Sequence, residues 1–171
     1  MVSVTHRESG STLTTRSAAP SDFDLIAGFI RKLADYEHLL DEVRFDESLL
    51  RAHLFGDRPS AEVLIGEIDG SPAGFALFFP TFSTFEGRPG IYLEDLFVEP
   101  AARGSGLGRQ LLQRLAQLTV ERGGARLEWS VLAWNQLARN FYSGLGARPD
   151  EGWERWRIEG SALATLALDP M

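Results

Sequence analysis

"YLEDLFVEPAARGSGLGRQLL", Tyr92 to Leu112, joins an apolar run to a leucine-rich helical pattern through a loop with three glycines. The run before the loop, "IYLEDLFVEP", reads as a strand that Pro100 ends. Beyond it, Leu107, Leu111, Leu112, Leu115 and Leu118 mark the apolar stripe of a helix. A strand, a glycine loop and a helix N-terminus in that order can hold an anion, because the amides turn inward and the helix dipole adds positive charge. Two common phosphate motifs nevertheless fail here. A P-loop needs Gly-Lys-Ser/Thr, and Gly108 is followed by Arg109 and Gln110. The dinucleotide fingerprint also fails, since after Gly104 and Gly106 the third glycine, Gly108, comes one residue early. On its own the loop serves either an anion or only a turn.

Working outward, "LTTRSA" at Leu13 alternates weakly and reads as a short first strand. "PSDFDLIAGFIRKLADYEHLL" reads as a helix with Ser21 or Asp22 as N-cap and Phe23, Ile26, Ile30 and Leu33 at helical spacing. "DESLLRAHLF" repeats the pattern, with Asp46 as cap and Gly56 as stop. "AEVLIGEID" and "PAGFALFFPTF" read as two strands joined by a "DGSP" hairpin turn. After Gly123 and Gly124 end the leucine helix, "ARLEWSVL" reads as the next strand. "NQLARNFYSGLGA" reads as a helix capped by Asn135, with Leu137, Ala138, Phe141 and Leu145 on one face. "WERWRIEG" suggests one more strand, with Trp153, Arg155 and Arg157 against Glu154, Trp156 and Ile158. Helices interspersed with strands predict an α/β fold on a mixed sheet. One domain from residue 13 to 171 is expected, after a disordered extension of residues 1–12.

Composition narrows the chemistry. A net charge of −7 argues against a nucleic-acid binder and favours small cationic partners. With no cysteine, disulfides, thiolate metal sites and a cysteine nucleophile are excluded. The three histidines, His6, His38 and His53, lack metal-ligand spacing, so no metal is predicted. The opening "MVSVTHRESGS" has no apolar core of a signal peptide, and no run is long enough to span a membrane, so the expected location is cytoplasmic. Glu94 and Asp95 interrupt an otherwise apolar strand, so at least one of them is expected to line a cleft. Strict alternation sends them to opposite faces unless a bulge intervenes.

These segments together resemble the GCN5-related N-acetyltransferase (GNAT) superfamily. Its signature, Arg/Gln-x-x-Gly-x-Gly/Ala, finds Arg103, Gly106 and Gly108 in "RGSGLG". "YLEDLFVEPAARGSGLGRQLL", "WNQLARNFYSGLGA", "EGWERWRI" and the early "LADYE" look like its spermidine/spermine (diamine) branch. The resemblance implies a central, mixed, mostly antiparallel sheet flanked by helices, acetyl-CoA as acetyl donor, and a homodimer. It places Arg103, Gly104, Ser105, Gly106, Leu107, Gly108 and Arg109 at the pyrophosphate. Leu96, Phe97 and Val98 lie along the pantetheine arm, and Asn135, Gln136, Leu137 and Ala138 supply further cofactor contacts. Without a cysteine to carry an acyl group, direct transfer to an amine is expected.

The amine must first lose a proton, because an alkylammonium has a pKa near ~10. The resemblance selects Glu94 as general base and Tyr142, in "NFY", as proton donor to the departing thiolate, a contact that also places Tyr142 against the cofactor. Around the acceptor it places Tyr36, Glu37, Glu94, Glu128, Trp129, Ser130 and Glu151, whose carboxylates would complement a polyamine or diamine. A lysine-like amino acid side chain is the alternative acceptor, and a CoA-binding regulatory domain without turnover is the alternative from another class.

Overall fold

A computed structural model of the chain describes residues 10–168, and most of the expected N-terminal extension lies outside them. The chain divides after Ser130 into two compact units, a boundary that no composition shift announces. The first unit is built on five strands in spatial order β1 (Leu13–Ser17), β2 (Glu62–Ile68), β3 (Ser71–Ser83), β4 (Arg88–Val98) and β5 (Leu127–Trp129). The first four run antiparallel and β5 joins β4 in parallel, so the sheet is mixed and mostly antiparallel. Asp69 and Gly70, at φ 51° and 78°, close the β2–β3 hairpin with both central residues left-handed. That is the turn whose twist suits two antiparallel strands. Asp69 also receives the Thr12 amide on its carboxylate at 2.8 Å, which fixes the chain just ahead of β1.

Helices cover both faces of the sheet. On one lies α3 (Leu107–Glu121), whose Leu107, Leu111, Leu112 and Leu115 are buried as the stripe predicted. Gly66 lets it approach, since a Cβ there would lie 3.0 Å from the Leu107 side chain. On the other face are α1 (Phe23–Tyr36) and α2 (Glu47–Phe55). Their Ile26, Phe29 and Leu54 pack on Val63, Ile65, Phe75, Leu77 and Phe97. Phe29 stacks on Phe75 with ring centroids 5.5 Å apart. Each such side chain contributes roughly 1.5–3 kcal/mol by leaving water, so this layer holds α1 and its C-terminal end firmly against β4.

Four expectations change. Asp22 precedes α1, but its carboxylate does not cap the helix. It accepts instead from the Ala19 amide at 2.7 Å and from the fork of Arg16 at 2.7 and 2.9 Å. The strand read from "ARLEWSVL" shrinks to three residues. In the second unit, α4 (Gln136–Ser143) forms with Asn135 capping it through the Ala138 amide at 3.1 Å. The expected core face is only partial there, since Leu137 is 66% exposed. So small a unit has little interior in which to bury a whole stripe. Finally, residues 153–158 form no strand, and the chain ends in α5 (Gly160–Leu168), which the pattern did not suggest. A strand must exchange hydrogen bonds with a neighbour, and the described residues of this unit contain none.

Candidate active site

The sheet register decides what the two adjacent carboxylates can do. Phe78 pairs with Leu93 and Leu77 pairs with Asp95, so Glu94 is an extra residue in β4. Such a bulge resets alternation. Without it Asp95 would share the face of Leu93, toward α3. With it Asp95 shares the face of Leu77 and Tyr92, toward α1. Glu94 follows Leu93 and turns away from it, so both acids leave the strand on one side. Glu94 stays exposed, whereas Asp95 is half-buried. Burial first, then the charges of Glu94 and Glu37, push the Asp95 carboxyl up to about 7. Glu37 follows the last turn of α1, where burial likewise pushes its carboxyl upward. A strand irregularity and a helix end thus bring three acids together.

The same strand has a second asset. Its parallel pairing with β5 covers only Ile91, Tyr92 and Leu93. Among the described residues β4 has no registered partner on that side from Glu94 to Val98, which leaves backbone groups of Leu96, Phe97 and Val98 to pair with an amide-bearing chain. The Phe97 side chain is in the core, so that residue can offer only its backbone. At the end of β4, Arg103 donates to the Val98 carbonyl at 3.3 Å and lies over the Tyr36 ring, 4.5 Å from its centroid. The signature arginine therefore joins the end of α1 to the glycine loop.

The loop itself fits an anion. Gly104 and Gly106 stand at φ 83° and 94°, a region open to glycine, and a Cβ at Gly104 would meet nothing within 4 Å. Gly106 occupies the N-cap of α3 and has no side chain with which to cap it. The Leu107 side chain is buried and its amide donates to Ser105 Oγ at 3.3 Å. Gly108 and Arg109 complete the first turn. These residues can seat a phosphate group, and the open edge of β4 can pair with an amide-bearing chain.

The remaining candidates divide between the units. In the first, Glu128 on β5 is paired with Arg126 at 2.7 Å, and Ser130 Oγ lies 2.7 Å from the Tyr92 hydroxyl. Trp129 stands between them, half-buried and registered opposite Leu93. In the second, Asn135 is buried and Gln136 donates to Asn140 at 2.7 Å. The Tyr142 ring lies 5.3 Å from that of Phe141, and Glu151 is exposed. Asp95 is the residue that sequence reading passed over. Its signal, two acids in an apolar strand, was visible; the bulge that gives both the same face was not.

A glycine loop at a helix N-terminus beside an open strand edge can seat an anionic, amide-bearing ligand. Comparison with known proteins makes this specific. The model of the acetyltransferase (GNAT) family matches residues 29–147, more than half of the chain. A thialysine N-epsilon-acetyltransferase of Bos taurus is 38% identical over 163 residues, covering 89% of this chain and 95% of the relative. A spermidine/spermine N(1)-acetyltransferase-like protein of Homo sapiens is 31% identical, covering 90% of this chain and 24% of that longer protein. Among solved structures, an integron cassette protein of V. cholerae superposes with a TM-score of 0.76 at 28% identity, covering 92% of this chain and 98% of the other. The chain belongs to the GNAT family. It is an acetyl-CoA-dependent N-acetyltransferase.

Proposed function

We propose that this enzyme moves the acetyl group directly to a primary amine of a small cationic acceptor, a polyamine or diamine. The observation that carries the reading is the group of Glu37, Glu94 and Asp95 beside the open edge of β4. A cluster of carboxylates complements a cationic acceptor, and a hydrophobic wall of α1 and β3 supports it. The human relative is named for spermidine and spermine. A lysine-like amino acid is the second reading, favoured by the thialysine named for the cattle relative at 38% identity.

Acetyl-CoA, when bound, supplies the activated acetyl group. In this reading Arg103, Gly104, Ser105, Gly106, Leu107, Gly108 and Arg109 hold the pyrophosphate, and Leu96, Phe97 and Val98 align the arm. Asn135, Gln136, Leu137 and Ala138 are further cofactor contacts in this reading. Glu94, at the bulge, takes the ammonium proton, and Tyr142 protonates the thiolate, since a phenol is protonated at neutral pH. Tyr36, Glu128, Trp129, Ser130 and Glu151 shape the acceptor's surroundings, Glu128 with its charge shared by Arg126. We also place the enzyme in the cytoplasm as a homodimer. Trp153, Trp156 and Leu166, at 75%, 87% and 60% exposure, support an interface that covers the second unit.

Thiol release from acetyl-CoA, followed with spermidine, butane-1,4-diamine, thialysine and ornithine, tests the reading. Turnover highest with the polyamine or diamine supports the first acceptor; turnover highest with thialysine supports the second. Release with none of them, while acetyl-CoA still binds, would overturn both.

A further inference from the structure

The C-terminal half of α1 is tied twice to the turn in which β4 gives way to the glycine loop. Lys32 forms an ion pair with Glu99, the first residue beyond β4, and lies 5.9 Å from the Phe29 ring centroid. Glu99 is itself fixed, since its amide donates to the Ala73 carbonyl at 2.9 Å. One helical turn further on, the Arg103 guanidinium lies 4.5 Å from the Tyr36 ring centroid, and its Nε donates to the Val98 carbonyl at 3.3 Å. Lys32 and Tyr36 stand at i and i+4, so one face of the helix makes both links. We propose that Lys32 and Arg103 are positioning residues for the acceptor, holding Tyr36 and Glu37 beside the acids of β4. The proposal rests on the amine-acceptor reading above and deepens it.

The need for such links follows from where the core support of α1 stops. Ile26 and Phe29 are packed on the sheet, but the last buried residue of the helix is Ala34. Tyr36 and Glu37 lie past it and are only half-buried. Backbone bonds close the helix end, from the Glu37 amide to the Leu33 carbonyl at 2.9 Å and from the Leu39 amide to that of Ala34 at 2.8 Å. They set the backbone, but not the direction of the Tyr36 ring or of the Glu37 carboxylate. That direction is left to side-chain contacts, and the guanidinium over the ring is one of them.

The two cations are unequal. An exposed ammonium–carboxylate pair contributes little by itself, and the Lys32 side chain is 56% exposed. A planar guanidinium can lie over a phenol ring and donate from its edge at the same time, which an ammonium cannot. Arg103 is therefore the stronger link, and its side chain, engaged with β4 and α1, acts on the acceptor side of the site. A guanidinium that served only the phosphates of the cofactor would change acetyl-CoA affinity alone, so measurement separates the two roles.

The test is a pair of mutant cycles read by KM and kcat for spermidine at saturating acetyl-CoA, with acetyl-CoA affinity followed by calorimetry. Arg103→Lys should raise KM about 10-fold and change kcat by less than about 3-fold. In a Tyr36→Leu background, where the ring is already gone, the same change should raise KM by no more than about 2-fold. Lys32→Glu, which sets two acids against each other, should raise KM about 5-fold, and adding Glu99→Lys should restore it to within about 2-fold. An Arg103→Lys loss confined to acetyl-CoA affinity, or equal in both Tyr36 backgrounds, would overturn the proposal. So would a Lys32→Glu enzyme with wild-type KM, or one that Glu99→Lys fails to rescue. A wild type that releases no thiol with any amine would instead overturn the acceptor reading, so the two failures are distinct.

Discussion

Asp95→Asn should make the protein more stable at pH 8. The carboxyl is shifted from 3.8 to about 7 by burial and by the charges of Glu94 and Glu37. For an acid whose folded pKa lies above its unfolded one, the protein is most stable where the group is protonated. Stability then falls as pH rises from about 4 through 7, and the whole cost is present above that window. Three pKa units correspond to ~4 kcal/mol at pH 8, and to less than half of that at pH 5. Relaxation and residual solvent reduce this ceiling, so about 1–3 kcal/mol of stabilisation is expected at pH 8. For a chain of this length that is a rise in Tm of roughly 2–12 °C. Urea unfolding of both proteins at pH 5 and pH 8 measures it. Asparagine keeps the shape of the side chain, so the comparison isolates the charge. An equal effect at the two pH values, or a less stable variant at pH 8, would refute the argument that Asp95 is held ionised at a cost. Such a cost is what a working group in a tuned environment leaves behind.

Three further outcomes are expected. Tyr142→Phe should lower kcat by about 10²–10⁴-fold while leaving acetyl-CoA affinity unchanged by calorimetry; an unchanged rate would remove its role as proton donor. Gly106→Ala places a side chain at φ 94°, with only the Leu13 side chain near, at 3.6 Å. The strain of about 1–2 kcal/mol should lower Tm and weaken acetyl-CoA binding roughly tenfold, and wild-type values for both would contradict the cradle. The Arg16 fork holds the Asp22 carboxyl below its usual range, so its contribution is present above about pH 4 and lost as pH falls below that. Asp22→Asn should therefore cost ~1 kcal/mol at pH 7, modest because Arg16 is 39% exposed, and progressively less as pH falls below about 4; a difference that does not shrink in acid would refute the pairing.

The sequence made the first unit legible where local chemistry and burial agree. The leucines of α3 recur at helical spacing and are buried on the sheet, and "DGSP" closes the hairpin because Asp69 and Gly70 accept left-handed backbone. The glycine loop was legible as an anion seat from residue types alone, although its specific ligand came from the resemblance. The bulge at Glu94 was not legible, because register depends on the partner strand, and with it went the placing of Asp95 beside Glu94. Trp153 to Ile158 misled for a related reason: alternation describes a strand only if a neighbour is there to pair. Asp22 shows the same limit at smaller scale, since a guanidinium six residues earlier outcompetes the helix amides it was expected to cap.

The most direct test of the central claim is a single-turnover incubation with [1-13C]acetyl-CoA and butane-1,4-diamine, followed by NMR of the product and mass spectrometry of the protein. Direct transfer to a primary amine predicts one equivalent of label in an amide on a terminal nitrogen, one equivalent of free thiol, and an unlabelled protein. Label recovered as acetate, or retained on the chain before the amine is added, would contradict it.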